Sequence, residues 1–287
     1  LISRRASLKE YKIFVNDTLI AETGNNHPLQ IEGKIEIKSA GGVLEMELSI
    51  YNLSQKNRKL ASQNPVNTIT LELNGTVVFN GEIINNTTQN LNYTDIVTTY
   101  YCKEYNGVRS DQTLSVSVRL STLGGILSNL SSAAGIPVVN RATNVGVLRF
   151  TAVGSVKEIL DQIKAEYGIN YSISNRQIRV WDADGSFALE PVLIPPNEIA
   201  INGLTLGLGT GTGILFAQFK LRPELQSGDK IKINNTDYLK LTGSVYTVQP
   251  ERNVITSEDG TYIIDEMVHT FNYYSPQPFE TTVRGLF

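Results

Sequence analysis

The chain has 287 residues, 41% of them hydrophobic and only 18% charged, with a formal net charge of −3 at pH 7. That length accommodates two or three domains with sizeable cores, and nothing in the weakly acidic balance marks a general nucleic-acid binder. A single cysteine, Cys102, rules out a disulfide framework within the chain, and no apolar run reaches the ~18 residues of a membrane helix.

Leu1-Ile2-Ser3-Arg4-Arg5 carries a basic pair with no apolar stretch behind it, so it does not read as a secretory or twin-arginine signal. Triplets such as Asn16-Asp17-Thr18 and Asn92-Tyr93-Thr94 reflect a composition rich in Asn and Thr, and none is read as glycosylated.

Residues 11 to about 118 read as strands. Tyr11 to Val15 and Leu19 to Ala21 flank Asn16-Asp17, a tight hairpin turn. Ile31, Ile35 and Ile37 alternate with charged residues, and Leu44, Met46, Leu48 and Ile50, then Ile69, Leu71 and Leu73, alternate with charged or hydroxyl residues. A period of two buries one face of each strand, and such strands in series predict an antiparallel barrel. The polar link Asn52 to Leu60 has room for one or two helical turns. Near Ser121, a candidate N-cap, the spacing becomes helical at Leu123, Ile126, Leu127 and Leu130, with Gly135 as the stop. Ser155-Val156-Lys157-Glu158 is a capping box that opens a second helix with Val156, Ile159, Leu160 and Ile163 on one face, ended by Gly168. With strands at Ile136–Val139, Val147–Thr151, Ile169–Ile173 and Gln177–Trp181, this predicts a small α+β domain.

Pro191, Pro195 and Pro196 mark a rigid connection. Strands are predicted again at Leu215–Leu221, Lys230–Ile233, Tyr238–Leu241, Val245–Val248, Tyr262–Phe271 and Thr281–Gly285. The strand Leu44–Ile50, a link with Pro65 and a strand at Ile69 are echoed by Leu215–Leu221, a link with Pro223 and a strand at Ile231, a pattern that suggests duplication.

Candidates for chemistry are few. The two histidines, His27 in a loop and His269 in a strand, lie far apart, and with Cys102 they fall short of the three or four ligands of a metal site. No metal or cofactor is expected at any of them, and Cys102 in Thr98–Cys102 reads as a packed core residue. The glycine run Gly203 to Gly213 lacks a following Lys-Ser/Thr and lies between strands, which predicts a hairpin rather than a phosphate loop. No Gly-x-Ser-x-Gly elbow is present. Glu251, Glu258, Asp259, Asp265 and Glu266 could hide a glycosidase pair and otherwise form solvated faces. Tyr273, Tyr274, Pro276, Pro278 and Phe279 make an aromatic, proline-rich stretch of a kind frequent at interfaces, in sugar sites and in cores. No residue is assigned a catalytic, cofactor-binding or metal-binding role.

Several short motifs carry a family resemblance. Leu48-Ser49-Ile50-Tyr51-Asn52-Leu53-Ser54, then Thr68–Leu73, then Phe79-Asn80-Gly81-Glu82-Ile83 and Asp95–Cys102, resemble the first tube-like barrel of contractile-phage baseplate hub proteins, which are related to the hub part of type VI secretion spike proteins. Leu225-Gln226-Ser227-Gly228-Asp229-Lys230-Ile231 and Val268-His269-Thr270 resemble strands of the second barrel. The resemblance implies a mainly β chain with two tube-like antiparallel barrels, at 1–118 and 187–287, and a small α+β domain at 119–186 between them. It implies a non-enzymatic homotrimer that forms a pseudo-sixfold ring in the virion tail, made in the host cytoplasm. Its expected partners are the tail tube protein, a separate central spike protein and other baseplate proteins. No membrane segment is expected, and DNA would pass the lumen without sequence-specific binding. A carbohydrate-binding adhesin or receptor-binding tail protein and a cell-wall hydrolase are the alternatives. The Gly203–Gly213 hairpin and the Tyr273–Phe287 tail are the segments expected to reach a neighbouring copy.

Overall fold

The computed structural model describes residues 10–24, 28–37, 43–91, 94–104, 113–174, 177–195, 198–208, 213–233, 260–273 and 280–286. The first β region contains β1 (Tyr11–Val15), β2 (Thr18–Glu22), β3 (Ile31–Ile37) and β4 (Glu45–Tyr51), the short helix α1 (Gln55–Leu60), then β5 (Thr68–Leu73), β6 (Thr76–Asn90) and β7 (Ile96–Glu104). Asn16 and Asp17 turn β1 into β2 at φ of 48° and 59°, the left-handed geometry of a tight hairpin that Asn and Asp tolerate. Burial alternates along β1, β4 and β5 as the period of two predicts.

The motif Asn52-Leu53-Ser54 now has a physical account. Asn52 leaves β4 at φ 57°. Its side chain accepts the Ile96 amide and donates to Asp95, each at 3.1 Å. Leu53 is buried, and the Ser54 hydroxyl caps α1 by accepting the Asn57 amide.

A second unit follows: β8 (Leu114–Thr122), α2 (Leu123–Ala134), β9 (Val138–Asn140), β10 (Gly146–Gly154), α3 (Val156–Tyr167), β11 (Ile169–Ser174) and β12 (Gln177–Asp182). Its own hydrophobic cluster begins at Leu114 and Val116, so β8 runs across residue 119 and its buried face belongs to this core. The N-cap of α2 is Thr122, not Ser121: Ser121 is still paired with Val147 in the β8–β10 ladder, and the next hydroxyl accepts the Gly125 amide. The capping box of α3 forms as read, and left-handed Gly135 and Gly168 end the two helices.

The third segment holds β13 (Val192–Ile194), β14 (Ile199–Leu208), β15 (Gly213–Lys220), β16 (Lys230–Ile233), β17 (Thr261–Tyr273) and β18 (Glu280–Leu286). The strands expected at Tyr238–Leu241 and Val245–Val248 lie outside the described residues. The first and third segments share one sheet in the order β14-β15-β18-β17-β3-β4-β7-β6-β5-β1-β2, with β16 pairing β13 and β17 off that path. The join is antiparallel pairing of β17 with β3, from Met267 opposite Ile37 to Tyr273 opposite Ile31. Gly33 is required there: a Cβ would stand 2.5 Å from the Phe271 ring and 2.8 Å from the Glu47 carbonyl oxygen.

A buried arginine fastens the small unit to the third segment. Arg179 of β12 pairs with Asp229, donates to Gln226 Oε1 at 2.7 Å, and lies 3.9 Å above the Phe187 ring centre. Next to it Gly228 sits at φ +86° under Trp181, where a Cβ would come within 2.8 Å of the indole. Only glycine combines that backbone angle with that approach.

Candidate assembly edges

Six strands of the third segment repeat the pairing path of six in the first, and β2 has no counterpart among the described residues. The pairing path β14-β15-β18-β17-β16-β13 matches β3-β4-β7-β6-β5-β1. One pairing differs in direction: β13 runs parallel to β16, while β1 runs antiparallel to β5.

The correspondence extends to single residues. Between β6 and β7 the register shifts by one at Ile83/Asn85, and between β17 and β18 it shifts by one at Ile264/Glu266. Each long strand therefore bulges one residue, Ile84 or Asp265, at the same point. Downstream of the bulge, Thr88 is paired with Thr98 and their hydroxyls lie 3.3 Å apart. In the same place on the other side, His269 is paired with Thr281 and the ring Nδ1 lies 2.9 Å from the hydroxyl. Cross-strand polar pairs at matching positions fix the alignment independently of the bulge.

His269 is 2% exposed. The Thr281 oxygen accepts the Arg222 amide at 2.8 Å, so its hydrogen is free to point at Nδ1. The ring also makes a hydrogen bond to the Leu225 backbone. The ring is therefore neutral, and burial holds its pKa down at about 4 against that backbone bond, which raises it. Its role is to tie the Arg222–Leu225 link to β17 and β18.

Several strand edges remain without a strand partner among the described residues, those of β2, β8, β10 and β13 among them, and two are both long and uncharged. β5 covers β6 only from Thr76 to Glu82, so the outer edge of Ile84–Asn90 is open. β14 pairs only with β15, which leaves its other side open. Neither run contains a charged residue or a proline: Ile84-Asn85-Asn86-Thr87-Thr88-Gln89-Asn90 and Ile199-Ala200-Ile201-Asn202-Gly203-Leu204-Thr205-Leu206-Gly207-Leu208. Natural sheets protect exposed edges with such residues, and these two edges lack that protection. Ile84 and Leu91, which bracket the first run, are 57% and 52% exposed.

The residues singled out by sequence separate widely. Cys102 is buried in β7 opposite Met46, and burial pushes its thiol pKa up, as for a packed thiol. His27, Glu251, Glu258 and Asp259 lie outside the described residues. Asp265 and Glu266 both face Arg284, at 3.5 and 2.5 Å. Tyr273 packs edge-on against Tyr11, while Tyr274, Pro276, Pro278 and Phe279 lie outside the described residues. Among the described residues no group of histidine, cysteine or acidic side chains is placed to hold a metal ion, and no helix is long and apolar enough to cross a membrane. The glycine run forms the β14–β15 hairpin, with Leu206 opposite Leu215, and residues 209–212 at its tip lie outside the described residues. The Tyr273–Phe287 tail is not an arm toward a neighbour over its described part. β18 lies inside the sheet between β15 and β17, where both of its edges are paired. The open edge of β6 escaped the sequence reading; its signal is the uncharged run from Ile84 to Leu91.

No protein-family profile matches the sequence, and no curated relative does. Solved structures do. A component of the Escherichia coli type VI secretion system, described as structurally similar to the T4 bacteriophage tail proteins gp27 and gp5, aligns over 96% of this chain and 76% of its own with 10% identity and a TM-score of 0.62. The tail protein from Neisseria meningitidis MC58 aligns over 96% of each chain, with 9% identity and a TM-score of 0.63. The 43 kDa tail protein of prophage MuSo2 from Shewanella oneidensis aligns over 96% of this chain and 97% of its own, with 9% identity and a TM-score of 0.62. The chain has the fold of these three proteins.

Proposed function

We propose that the chain is the structural hub of a phage tail baseplate, a homotrimer whose repeated β segments alternate in a pseudo-sixfold ring between the tail tube and a central spike. The single observation that carries this reading is the duplicated strand order joined through β17 and β3. A unit that repeats head to tail either closes a ring or runs on as a filament, and the choice depends on the rotation per step. The likeness to tail proteins supports closure. The hub is not an enzyme and holds no cofactor. It works by shape, as an adaptor from sixfold to threefold symmetry, with the tail tube, spike and other baseplate proteins as partners and DNA passing its lumen. Residues 1–118 and 187–287 form the two ring units on this reading, with 119–186 between them and β8 leading into the middle one.

The test is the mass in solution together with negative-stain images. Three copies and ring-shaped particles with a central opening are expected. A chain that remains a single copy at every concentration would refute the hub reading, and so would one that forms only two-copy particles.

A further inference from the structure

We propose that the β8–β10 ribbon of the small unit is a docking surface for an acidic segment of another protein, which seats an apolar side chain on Leu120 and Leu148 and sets carboxylates against Arg119 and Arg149. The inference goes beyond the ring reading and does not depend on it.

Alternation shows that the two leucines are out of place. Along β8, Leu114, Val116 and Val118 turn toward the core of the small unit, and the same period assigns Leu120 to that side. Along β10, Ala152 and Phe150 are buried, and the period assigns Leu148 to that side as well. Leu120 is nevertheless 77% exposed and Leu148 81%. The ladder sets Ser121 opposite Val147 and Arg119 opposite Arg149, so the two leucines lie opposite each other on the rung between. Val147 is buried in place of Leu148, so the facing of β10 changes at this rung. The backbone of β8 marks the same place: Leu120 has a φ of 49°. That left-handed geometry is unfavourable for leucine, and backbone strain of this kind collects at functional sites. Single exposed leucines are ordinary on a protein surface. A facing pair on a strained rung is not.

Charge identifies the occupant. Arg119 and Arg149 face each other on the next rung, and both are exposed. Like charges directly opposite one another destabilise a sheet. From Gln112 to Lys157 the sequence holds Arg119, Arg141, Arg149 and Lys157 and no Asp or Glu, in a chain whose net charge is −3. Arg141 is engaged inside the chain, 4.5 Å above the Phe187 ring centre, and Lys157 pairs with Asp161 at 2.6 Å. Arg119 and Arg149 have no ion-pair partner among the described residues. A carboxylate placed between the two guanidiniums relieves their repulsion, and arginine binds carboxylates through paired N–H donors. The leucine rung beside them calls for an apolar anchor on the same segment. A second copy docked face to face would not serve. A two-fold contact meets its own patch, and these arginines would then stand against themselves.

The test selects a random-peptide display library on the full chain. Peptides that also bind the variant Arg119→Glu/Leu120→Ser/Leu148→Ser/Arg149→Glu are removed. Those that remain should carry Asp or Glu next to Leu, Ile or Phe. Synthetic forms of them should bind at least tenfold more weakly to Leu120→Ser/Leu148→Ser and to Arg119→Glu/Arg149→Glu, and added salt should weaken them on the wild type. Exchanging their acidic residues for Lys should restore binding to Arg119→Glu/Arg149→Glu and abolish it on the wild type. All four positions are exposed, so the variants should keep the thermal midpoint of the wild type. Leu120→Asn supplies a second reading. Asn tolerates the left-handed backbone, so this variant should raise the thermal midpoint while weakening the peptides. A lowered midpoint would mean that Leu120 serves the fold, and would overturn the docking role. No surviving peptide, or survivors without acidic residues, overturns the proposal. A lower copy number by mass in Leu120→Ser/Leu148→Ser overturns it in favour of a contact between copies. Binding of the wild type, and not of that variant, to phosphatidylglycerol vesicles overturns it in favour of a lipid surface.

Discussion

At the residue scale, His269 and Arg179 are polar groups buried for structural reasons, and each makes a measurable prediction. His269 is neutral in the folded chain, with its pKa lowered from the ordinary 6.5 to about 4. In the unfolded chain the ring takes up a proton as the pH falls through about 6.5, so between the two values the unfolded state binds more protons. Stability is therefore full above that range and is lost as pH falls toward 4, by about 3 kcal/mol in total from this group. Denaturant melts at pH 7.5 and pH 5 should show the loss in the wild type and a smaller one in His269→Gln. Equal pH dependence in the two would refute the assignment. Arg179→Ala leaves Asp229, Gln226 and Phe187 without the guanidinium that organises them. It should cost about 3 kcal/mol by removing one partner of a buried ion pair, read as a lower denaturant midpoint and as faster proteolysis between residues 183 and 191. Cys102 should resist thiol reagents until the chain unfolds, since burial keeps it a thiol. A native chain that reacts at the rate of the denatured one would contradict that placement.

At the scale of elements, local signals and structure agree where both act within a few residues. The capping box at Ser155–Glu158 and the stops at Gly135 and Gly168 were legible because capping is a contact between near neighbours. Ser155→Ala should lower stability by about 1 kcal/mol, measurable as a shift in thermal midpoint. The strands around Leu48, Leu71 and Ala217 were legible from alternation. The Thr122 cap was misread as Ser121 because the end of β8 is set by its pairing with β10, a partner more than twenty residues away in sequence. The same reason hid the start of the small unit: Leu114 and Val116 alternate like any strand, and only packing on α2 and α3 assigns them to that core. The site was less legible than the fold. A free edge is defined by what does not pair with it, and an uncharged run such as Asn85–Asn90 shows only that pairing is permitted. The echo between Leu44–Ile69 and Leu215–Ile231 was visible in the sequence. The bulges that make it exact to the residue were not, because a bulge is a relation between two strands.

At the scale of the whole molecule, the β17–β3 pairing makes two similar segments into one body. Filling Gly33 is expected to weaken that body at its seam: Gly33→Val places side-chain atoms against Phe271 and the Glu47 carbonyl. A loss of 2 kcal/mol or more is expected on the scale of overpacked core sites, about 1–3 kcal/mol, and the third segment should become sensitive to protease before the small unit does. Loss of both together would mean that the seam and the small unit unfold as one. The seam also bears on how a ring would be put together. A contact between two separate molecules must overcome lost translational freedom, whereas a tethered contact forms at an effective concentration in the millimolar range. Each chain carries one contact already closed by its own backbone, so a closed ring of three has only three encounters left to make. Its subunits cannot be captured with the two segments in the wrong order, because their alternation is written into the polypeptide. On the proposed ring, tandem fusion would thereby give six similar blocks the assembly kinetics of a trimer.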